Sequence, residues 1–344
     1  MKTKNLFSVA LRGTVVILAL VTVANAGSGY HLLNTYKLAG DGGWDYLTID
    51  PATRHLFISR ATHVLVIDAD SGKQLADIPD TPGVHGIALA PELGRGFISN
   101  GREGTVTVFD LKSLTATGKI KAGENPDAIL YDPATRRVFA FNGRSGDATA
   151  IDGVRAAAIG TIRLGGKPEC AVSDEKGDVF VNIEDKSELL KLDPQGLSVK
   201  ARWPLAPCQE PSGLAIDRKN RRLFVGCDNK MMAVVDADSG KVITTVPIGE
   251  GVDANAFDSD TGFAFASCGE GVLTIAHEDT PDKYSAAENV PTQRGARTMT
   301  LDPKTHNVYV VTAKFGPAPA RTAENPHPRP SILPDSFVVL VLGR

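Results

Sequence analysis

The sequence lacks several short motifs that identify common protein classes. Its four cysteines include no C-x-x-C pair, so a structural zinc site or an attached c-type haem is not supported. It contains no phosphate-binding P-loop, no dinucleotide-binding glycine fingerprint and no G-x-S-x-G elbow, which excludes the enzyme classes that depend on them. Long helical periodicity is also missing after residue 26. With 34 Gly and 21 Pro residues, this argues against a mainly helical protein.

The sequence also lacks a large excess of positive or negative residues. The chain has 37 Lys and Arg against 40 Asp and Glu, and its tryptophans are only Trp44 and Trp203. Proteins that bind nucleic acids usually present a strongly basic face, often with aromatic side chains for stacking. We therefore expect no nucleic-acid partner.

The first 26 residues differ from the rest of the chain. Three basic residues precede a short apolar run at 13–23, and an A-x-A sequence ends at Ala26. This order predicts a secretory signal peptide, residues 1–26, cleaved after Ala26. A membrane anchor is the alternative, but it needs about 20 consecutive apolar residues.

Cleavage would leave an exported chain of residues 27–344. Its net charge would change from −3 to −6, because the removed segment carries three positive charges and no negative one. No second apolar run reaches membrane-spanning length. We expect a periplasmic protein, with secretion to the medium as the alternative, and we expect a monomer. Cysteines in an oxidising compartment favour disulfide bonds.

One pattern repeats seven times in the remaining chain. Each repeat opens with a short run of small and aliphatic residues, followed by a turn of the D-P-A-T-R type. The repeats begin at Asp45, His85, Asp127, Glu169, Ser212, Asp253 and Arg297. Their spacings are 40, 42, 42, 43, 41 and 44 residues. Such regularity indicates a repeat architecture.

Each repeat holds four short β-type runs bounded by Gly, Asp and Pro, which read as antiparallel strands. Four strands every 40 to 45 residues is the period of a β-propeller blade. The sequence therefore predicts an all-β, seven-bladed β-propeller in one domain, residues 27–344. The last repeat lacks a fourth strand, so we expect residues 31–40 to complete it and close the ring.

The ends of the second strands carry a family resemblance. The segments LFISR, GFISN, VFAFN and VYVVT are similar to the strand end that names the YVTN repeat. The whole mature chain resembles the YncE-like group of exported seven-bladed propellers, which includes surface-layer and binding proteins. The resemblance implies the fold and an exported location, but it does not specify an activity.

The first residue of each repeat is expected at the top of the central channel, where the innermost strands begin. A register shifted by one residue would instead place Tyr46, Gly86, Ala128, Cys170, Gly213, Ala254 and Thr298 there. The shifted set is smaller and less polar, as packing between blades requires. The alternation of side chains along a strand therefore favours the polar set as the channel face.

Four carboxylates would then face one another around the channel. They are predicted to hold a metal ion, with His85, through Asp45, Asp127, Glu169 and Asp253. Oxygen ligands suit Ca²⁺ or Mg²⁺, and the imidazole also allows Zn²⁺ or Mn²⁺. Pairing with Arg297, or a water-filled channel without function, is the alternative.

A second layer of polar residues is expected around this ring. The second strands end at Arg60, Asn100 and Asn142 in the first three blades, and we expect these residues to contact a ligand together with Ser212 and Arg294. Basic residues in the following turns are Arg102, Arg144, Lys186, Lys230 and Lys314. An acidic centre with a basic surround could hold a metal ion and an anionic ligand together.

Three classes of function fit this ring. The first is a propeller that binds a small ligand or a metal ion at the top of its channel. The second is a metal-dependent enzyme of the lactonase or lyase type, because similar carboxylates and histidines serve such enzymes on seven-bladed propellers. His85 would then act as acid or base, and Arg297 would hold a substrate carboxylate. The third is capture of a partner protein by the top loops.

Blade 7 contains one long insertion, residues 314–335, with six prolines and no β pattern. Loops of this length in a compact fold are usually lids, binding loops or disordered segments. We expect a lid or a partner-binding surface on the top face.

The four cysteines are clustered in blades 4 to 6. Their positions favour the pairs Cys170–Cys208 and Cys227–Cys268, with a Cys208–Cys227 bond inside blade 5 as the rival. A bridge requires Cα atoms within about 7 Å, and the two equivalent second-strand positions could be farther apart than that.

Overall fold

The fold is taken from a computed structural model, which describes residue 1 and residues 27–40, 42–285, 288–319 and 330–344. The predicted signal peptide lies outside these residues apart from Met1. In the described part of the chain the only helices are two single 3₁₀ turns, Pro91–Leu93 and Glu184–Lys186. No helix there is long and apolar enough to cross a membrane.

Seven separate antiparallel sheets are arranged in chain order, each with a four-stranded core. The chain enters through strand β1 (His31–Lys37), which belongs to the last blade. Blade 1 contains β2 (Leu47–Asp50), β3 (His55–Arg60), β4 (His63–Asp68) and β5 (Gln74–Ile78). Blade 2 contains β6 (Val84–Ala90), β7 (Arg95–Asn100), β8 (Thr105–Asp110) and β9 (Thr115–Lys121). Blade 3 contains β10 (Pro126–Asp132), β11 (Arg137–Asn142), β12 (Asp147–Asp152) and β13 (Ala157–Arg163).

The next three blades repeat this plan. Blade 4 contains β14 (Pro168–Ser173), β15 (Val179–Ile183), β16 (Glu188–Asp193) and β17 (Ser198–Pro204). Blade 5 contains β18 (Pro211–Asp217), β19 (Arg222–Cys227), β20 (Met231–Asp236) and β21 (Val242–Pro247). Blade 6 contains β22 (Val252–Asp258), β23 (Phe263–Cys268), β24 (Val272–Thr280), β25 (Lys283–Tyr284) and β26 (Glu288–Pro291). The extra strand in blade 6 arises because β24 is longer than its counterparts and pairs with both β25 and β26.

Blade 7 confirms the predicted closure of the ring. It contains β27 (Thr298–Leu301), β28 (Val308–Thr312) and β29 (Val338–Gly343) from the end of the chain. Strand β1 pairs antiparallel with β29, so the N-terminal strand supplies the missing fourth strand. This pairing removes one exposed sheet edge at the junction of the two chain ends.

One aromatic side chain stands at the same position of every second strand. These residues are Phe57, Phe97, Phe139, Phe180, Phe224, Phe265 and Tyr309, and each is at most 1% exposed. They lie in apolar clusters between neighbouring blades, where burial of a large ring gives a substantial hydrophobic contribution. The repeated aromatic position therefore holds the blades against one another and fixes the inner strands around the channel.

Candidate functional site

A polar cavity of about 730 Å³ opens where the inner strands begin, which we call the top of the channel. All seven repeat-opening residues line it: Asp45, His85, Asp127, Glu169, Ser212, Asp253 and Arg297. The structure thus brings together the ring of side chains expected from the sequence register.

The chain conformation before each inner strand directs these side chains inward. In six of the seven blades the residue immediately before the ring residue is buried, as at Val84 and Pro126. One position earlier the backbone often has a positive φ, for example +68° at Gly83 and +55° at Asn125. This combination turns the chain sharply into the strand, and alternation then places the next side chain on the channel face.

The closest cluster in the cavity is formed by blades 1 to 3. His85 Nδ1 lies 2.6 Å from Asp45 Oδ2 and 3.6 Å from Asp127 Oδ1. One donor atom from each of the three side chains falls within 4.8 Å of the others. All three side chains remain partly accessible, at 17% to 26% of their full exposure. An imidazole and two carboxylates therefore converge at a point that a small ligand can reach.

The charges in this cluster shift its protonation. Burial lowers the pKa of His85, but the hydrogen bond to Asp45 and the negative charges of Asp127, Asp45 and Glu169 outweigh it, so the pKa is raised. Burial raises the pKa of Asp127 to about 6, against the opposing charge of His85. The cluster thus tends to hold protons, which a metal ion could replace.

Blade 4 contributes the carboxylate of Glu169, whose ion-pair partner also pairs with a second carboxylate. Lys167 Nζ lies 2.6 Å from Glu169 Oε1 and also forms an ion pair with Glu184. One ammonium group therefore serves two carboxylates. Burial and the charge of Asp127 raise the pKa of Glu169 to about 8, although Lys167 acts in the opposite direction.

The remaining ring residues belong to blades 5 to 7. Arg297 Nε lies 3.5 Å from Asp253 Oδ2, and the Ser212 hydroxyl donates to the Asp253 carbonyl at 3.4 Å. Burial raises the pKa of Asp253, and Arg297 opposes that effect. This side of the ring contains a carboxylate that already has a guanidinium neighbour, unlike the cluster around His85.

The floor of the cavity contains a contact across the channel. The Tyr46 hydroxyl of blade 1 lies 3.8 Å from Cys170 Sγ of blade 4. Tyr46 also lines the cavity and packs against the apolar cluster of blades 3 and 4. The sequence register placed these two residues between blades, but Tyr46 is long enough to extend beneath the polar ring.

Three residues expected to contact a ligand are enclosed within their blades. Arg60, Asn100 and Asn142 are at most 1% exposed. The Arg60 guanidinium lies 3.8 Å from the centre of the Phe337 ring and donates to the Gly40 carbonyl. The Asn100 amide donates to Thr105 and Thr107, so it organises its own turn. These side chains are therefore not available to a ligand in the cavity, because the strand ends point into the blade.

Only some of the basic residues expected around the ring line the cavity. Arg102 and Arg144 line the cavity, whereas Lys186, Lys230 and Lys314 are not part of its lining. Arg294 is exposed and also lies outside the lining.

Sequence reasoning missed other residues of the lining, including Trp44, Asn125, Lys167 and Glu184. Asn125 and Lys167 each stand two positions before a ring residue, which is a regular signal that could have found them.

The disulfide pairing corrects the sequence expectation. Cys208 and Cys227 are bonded, with their Cα atoms 5.4 Å apart, while Cys170 and Cys268 are free thiols. The favoured pairs were therefore wrong, and the rival bond inside blade 5 is present. Cys208 follows the turn before blade 5 and faces the end of β19, because the Asp228 N–H donates to the Gln209 carbonyl.

The two ends of the blade 7 insertion lie close to the cavity wall. Phe315 pairs with Ile332 in an isolated β-bridge, and the Phe315 ring lies 6.0 Å from that of Trp44. Residues 320–329 are outside the described part of the chain. The predicted role of this insertion as a lid or partner surface stays a prediction.

The sequence matches no known protein-family model and no curated protein. Its fold, in contrast, resembles solved structures. One is a chain of hydrazine synthase from Kuenenia stuttgartiensis, with a TM-score of 0.69 and 16% identity. The alignment covers 79% of the present chain and 94% of that chain. At this identity the likeness shows the propeller fold alone.

Proposed function

We propose that this protein binds a divalent metal ion at the top of its channel, through Asp45, His85 and Asp127. The observation that carries the proposal is the convergence of three donor atoms within 4.8 Å, on three different blades, in an accessible cavity. No neighbouring Lys or Arg of the described chain forms an ion pair with Asp45 or Asp127. A bound cation would offset the repulsion between these carboxylates.

The donor set favours a transition ion over the hard cations expected from the sequence. An imidazole between two carboxylates suits Mn²⁺ or Zn²⁺, whereas Ca²⁺ prefers six to eight oxygen ligands. Water would complete the coordination from the cavity side, because the three side chains remain partly exposed. Glu169 and Asp253, the other predicted metal ligands, are already close to Lys167 and Arg297.

We also propose a cellular location and a family for this protein. A disulfide bond suits an oxidising compartment, which supports the expected export to the periplasm. The seven-bladed fold supports the resemblance to YVTN-repeat proteins of the YncE-like group, which we retain as a proposal.

The metal site is tested by titrating chelator-treated protein with Mn²⁺ or Zn²⁺ in a calorimeter. We expect one ion per chain, and we expect His85→Ala to weaken its binding by about 100-fold or more, since it removes the central ligand. Asp253→Asn is the matched control, because this carboxylate lines the same cavity but stands outside the cluster.

A result that contradicts the proposal is equally clear. If none of Mn²⁺, Zn²⁺, Ca²⁺ and Mg²⁺ binds stoichiometrically to the folded wild-type protein, the metal site does not exist. Equal losses in the His85 and Asp253 variants would also contradict it, because they would indicate a diffuse electrostatic effect.

A catalytic role is the second candidate, and one contact favours it. The 2.6 Å hydrogen bond between Asp45 and His85 orients the imidazole as in many general bases. Within the described chain His85 Nε2 forms no hydrogen bond, and it lies beside the backbone of Gly101. Turnover of a panel of lactones that is lost in His85→Ala and reduced in Arg297→Gln would support a lactonase-type or lyase-type enzyme. Metal binding without turnover would leave the binding function alone.

A further inference from the structure

A five-residue sequence, N-G-R-x-G, occurs at the same place in two neighbouring blades. It covers residues 100–104 in blade 2 and 142–146 in blade 3, directly after the second strand. The other five blades have different residues there. Blades 2 and 3 are also the blades that supply His85 and Asp127. The repeated sequence therefore accompanies two of the three proposed metal ligands.

The asparagine and the last glycine build the turn. Asn142 donates from its side chain to Asp147 at 2.6 Å and to Thr149 at 3.0 Å, and Asn100 makes the equivalent contacts in blade 2. The main-chain carbonyls of both asparagines accept from Gly104 and Gly146, each at 3.0 Å. These two glycines have φ of +63° and +65°, a conformation that costs other residues free energy. Both turns are thus fixed in the same shape.

The middle glycine lets the turn of blade 2 approach the ring. A Cβ atom at Gly101 would lie 2.8 Å from His85 Nε2 and 2.8 Å from Asn125 Oδ1. Only a glycine fits this spacing without displacing the imidazole. The turn that bears Arg102 is therefore held directly against His85.

The arginine side chain of each turn, unlike the asparagine and the glycines, does not hold the turn in shape. Arg102 and Arg144 both line the cavity and are exposed. Within the described chain neither guanidinium forms an ion pair, whereas Lys167 and Arg297 of the same lining both have carboxylate partners. Two forked donors with free hydrogen-bonding capacity therefore border the cavity.

The balance of charge in the lining favours an anion once a metal ion is present. The lining contains five carboxylates against four Lys and Arg side chains, so the wall is close to neutral. A divalent ion would make it positive. Guanidinium groups bind carboxylates and phosphates through paired hydrogen bonds, which gives them an advantage over a simple point charge. The cavity volume also lies in the range of small-molecule sites.

We propose that the two N-G-R-x-G turns form a clamp for a small oxyanion ligand, in which Arg102 and Arg144 bind a carboxylate or phosphate group. This inference rests on the proposed metal site, which provides the second point of attachment for the same ligand. Asn and Gly shape each turn, and Arg makes the contact. The ligand class is a small molecule with at least one carboxylate or phosphate group.

The clamp is tested by calorimetric titration with inorganic phosphate and with succinate, each in the presence and absence of Mn²⁺. We expect at least one of the two probes to bind, and to bind more tightly with Mn²⁺. The double variant Arg102→Gln/Arg144→Gln should bind that probe at least about 10-fold more weakly, because it removes two charge-assisted contacts. A preference for succinate or phosphate distinguishes the two ligand types.

Two further variants separate the clamp from general charge effects. Arg155→Gln removes an arginine that is 81% exposed on the bottom side of blade 3, and it should leave binding of the probe unchanged. Arg102→Lys/Arg144→Lys keeps the charge but loses the forked geometry, so it should recover only part of the affinity.

Separate Mn²⁺ titrations distinguish failure of the clamp from failure of the metal site. The Arg102→Gln/Arg144→Gln variant should bind Mn²⁺ as the wild type does. If the wild type binds Mn²⁺ but neither probe, or if the double variant binds the probe as tightly as the wild type, the clamp is wrong and the metal site stands. If Mn²⁺ does not bind to the wild type, the second point of attachment is lost and the proposal fails with the proposed function.

Discussion

Acidic residues occur at both ends of the inner strands, at the top in four of the seven blades and at the bottom in six. At the top the acidic ring residues are Asp45, Asp127, Glu169 and Asp253. At the bottom the last strand residue or its successor is aspartate in six blades: Asp50, Asp132, Asp174, Asp217, Asp258 and Asp302. Each bottom aspartate stands five residues after a ring position of the same strand. The comparison therefore sets acidic residues at the two ends of the inner strands against each other.

The bottom aspartates are surrounded by donors. All six are at most 7% exposed, and each accepts hydrogen bonds from the turn that follows it. Asp302 accepts from the Lys304 N–H at 3.0 Å and from the Thr305 hydroxyl at 2.6 Å, and it forms an ion pair with Arg54 of blade 1. Burial acts to raise its pKa, but these contacts outweigh burial and lower it.

The top carboxylates have few such donors, and burial dominates. The pKa values of Asp127, Glu169 and Asp253 are all raised. The difference between Asp302 and these three carboxylates follows from the local donors around Asp302, which offset the effect of burial.

The group of Asp258, Asp260 and His306 illustrates the same rule. Its donor atoms also fall within 4.8 Å of one another. However, Asp258 accepts from the Asp260 N–H at 3.1 Å, from the Thr261 hydroxyl at 2.8 Å and lies 2.8 Å from His306 Nδ1. These contacts use its oxygens to link blades 6 and 7. Proximity alone therefore does not indicate a metal site at the bottom.

The largest effect is expected from breaking a bottom contact. Asp302→Asn removes the charge from a fully buried carboxylate that links the last blade to the first through Arg54. We expect a loss of about 3 to 5 kcal/mol in the free energy of unfolding, as for a broken buried ion pair. Urea denaturation measures it.

The control uses the other partner of the same arginine. Asp70 forms an ion pair with Arg54 but is 59% exposed, so Asp70→Asn should cost less than about 1 kcal/mol. Similar losses in the two variants would show that burial of the bottom carboxylate is not what matters.

The next largest effect is expected at the top of blade 5, which is held by a covalent bond rather than by polar contacts like those at the bottom. Cys208→Ser/Cys227→Ser opens a disulfide between residues separated by 19 positions, which should cost about 3 kcal/mol in the free energy of unfolding. Urea denaturation with and without dithiothreitol measures it. The reductant should destabilise the wild type and leave the double variant unchanged, and a wild type insensitive to it would contradict the bond.

Much of this arrangement could be predicted from the sequence because it follows from periodicity. The seven blades, the closure by β1 and the ring that contains His85 are all set by strand spacing and alternation. The positions of Arg60 and Asn100 could not be predicted, because they depend on how the chain turns after a strand ends. The disulfide was named only as the rival pairing, because it depends on the path of the turn around Cys208 rather than on equivalent positions in two blades.

The smallest expected effect is on the pH dependence of stability. As the pH rises, ionisation of a top carboxylate should lower the stability, whereas ionisation of a bottom carboxylate should raise it. Glu169 has an ordinary pKa of 4.5 in the unfolded chain and about 8 in the folded one. Between these values the folded state binds more protons, so stability falls as the pH rises from 4.5 to 8. Because the side chain remains 18% exposed, we expect a change of about 1 to 2 kcal/mol.

Denaturation from pH 4.5 to 8 should therefore show a flatter profile in Glu169→Gln than in the wild type. Asp302→Asn should keep the wild-type slope in that window, because the pKa of Asp302 is lowered below 3.8 and its contribution is lost only in stronger acid. If Glu169→Gln keeps the full slope, Lys167 neutralises Glu169 as effectively as the bottom donors neutralise Asp302. The top ring would then not hold a carboxylate poised to bind or release a proton near neutral pH.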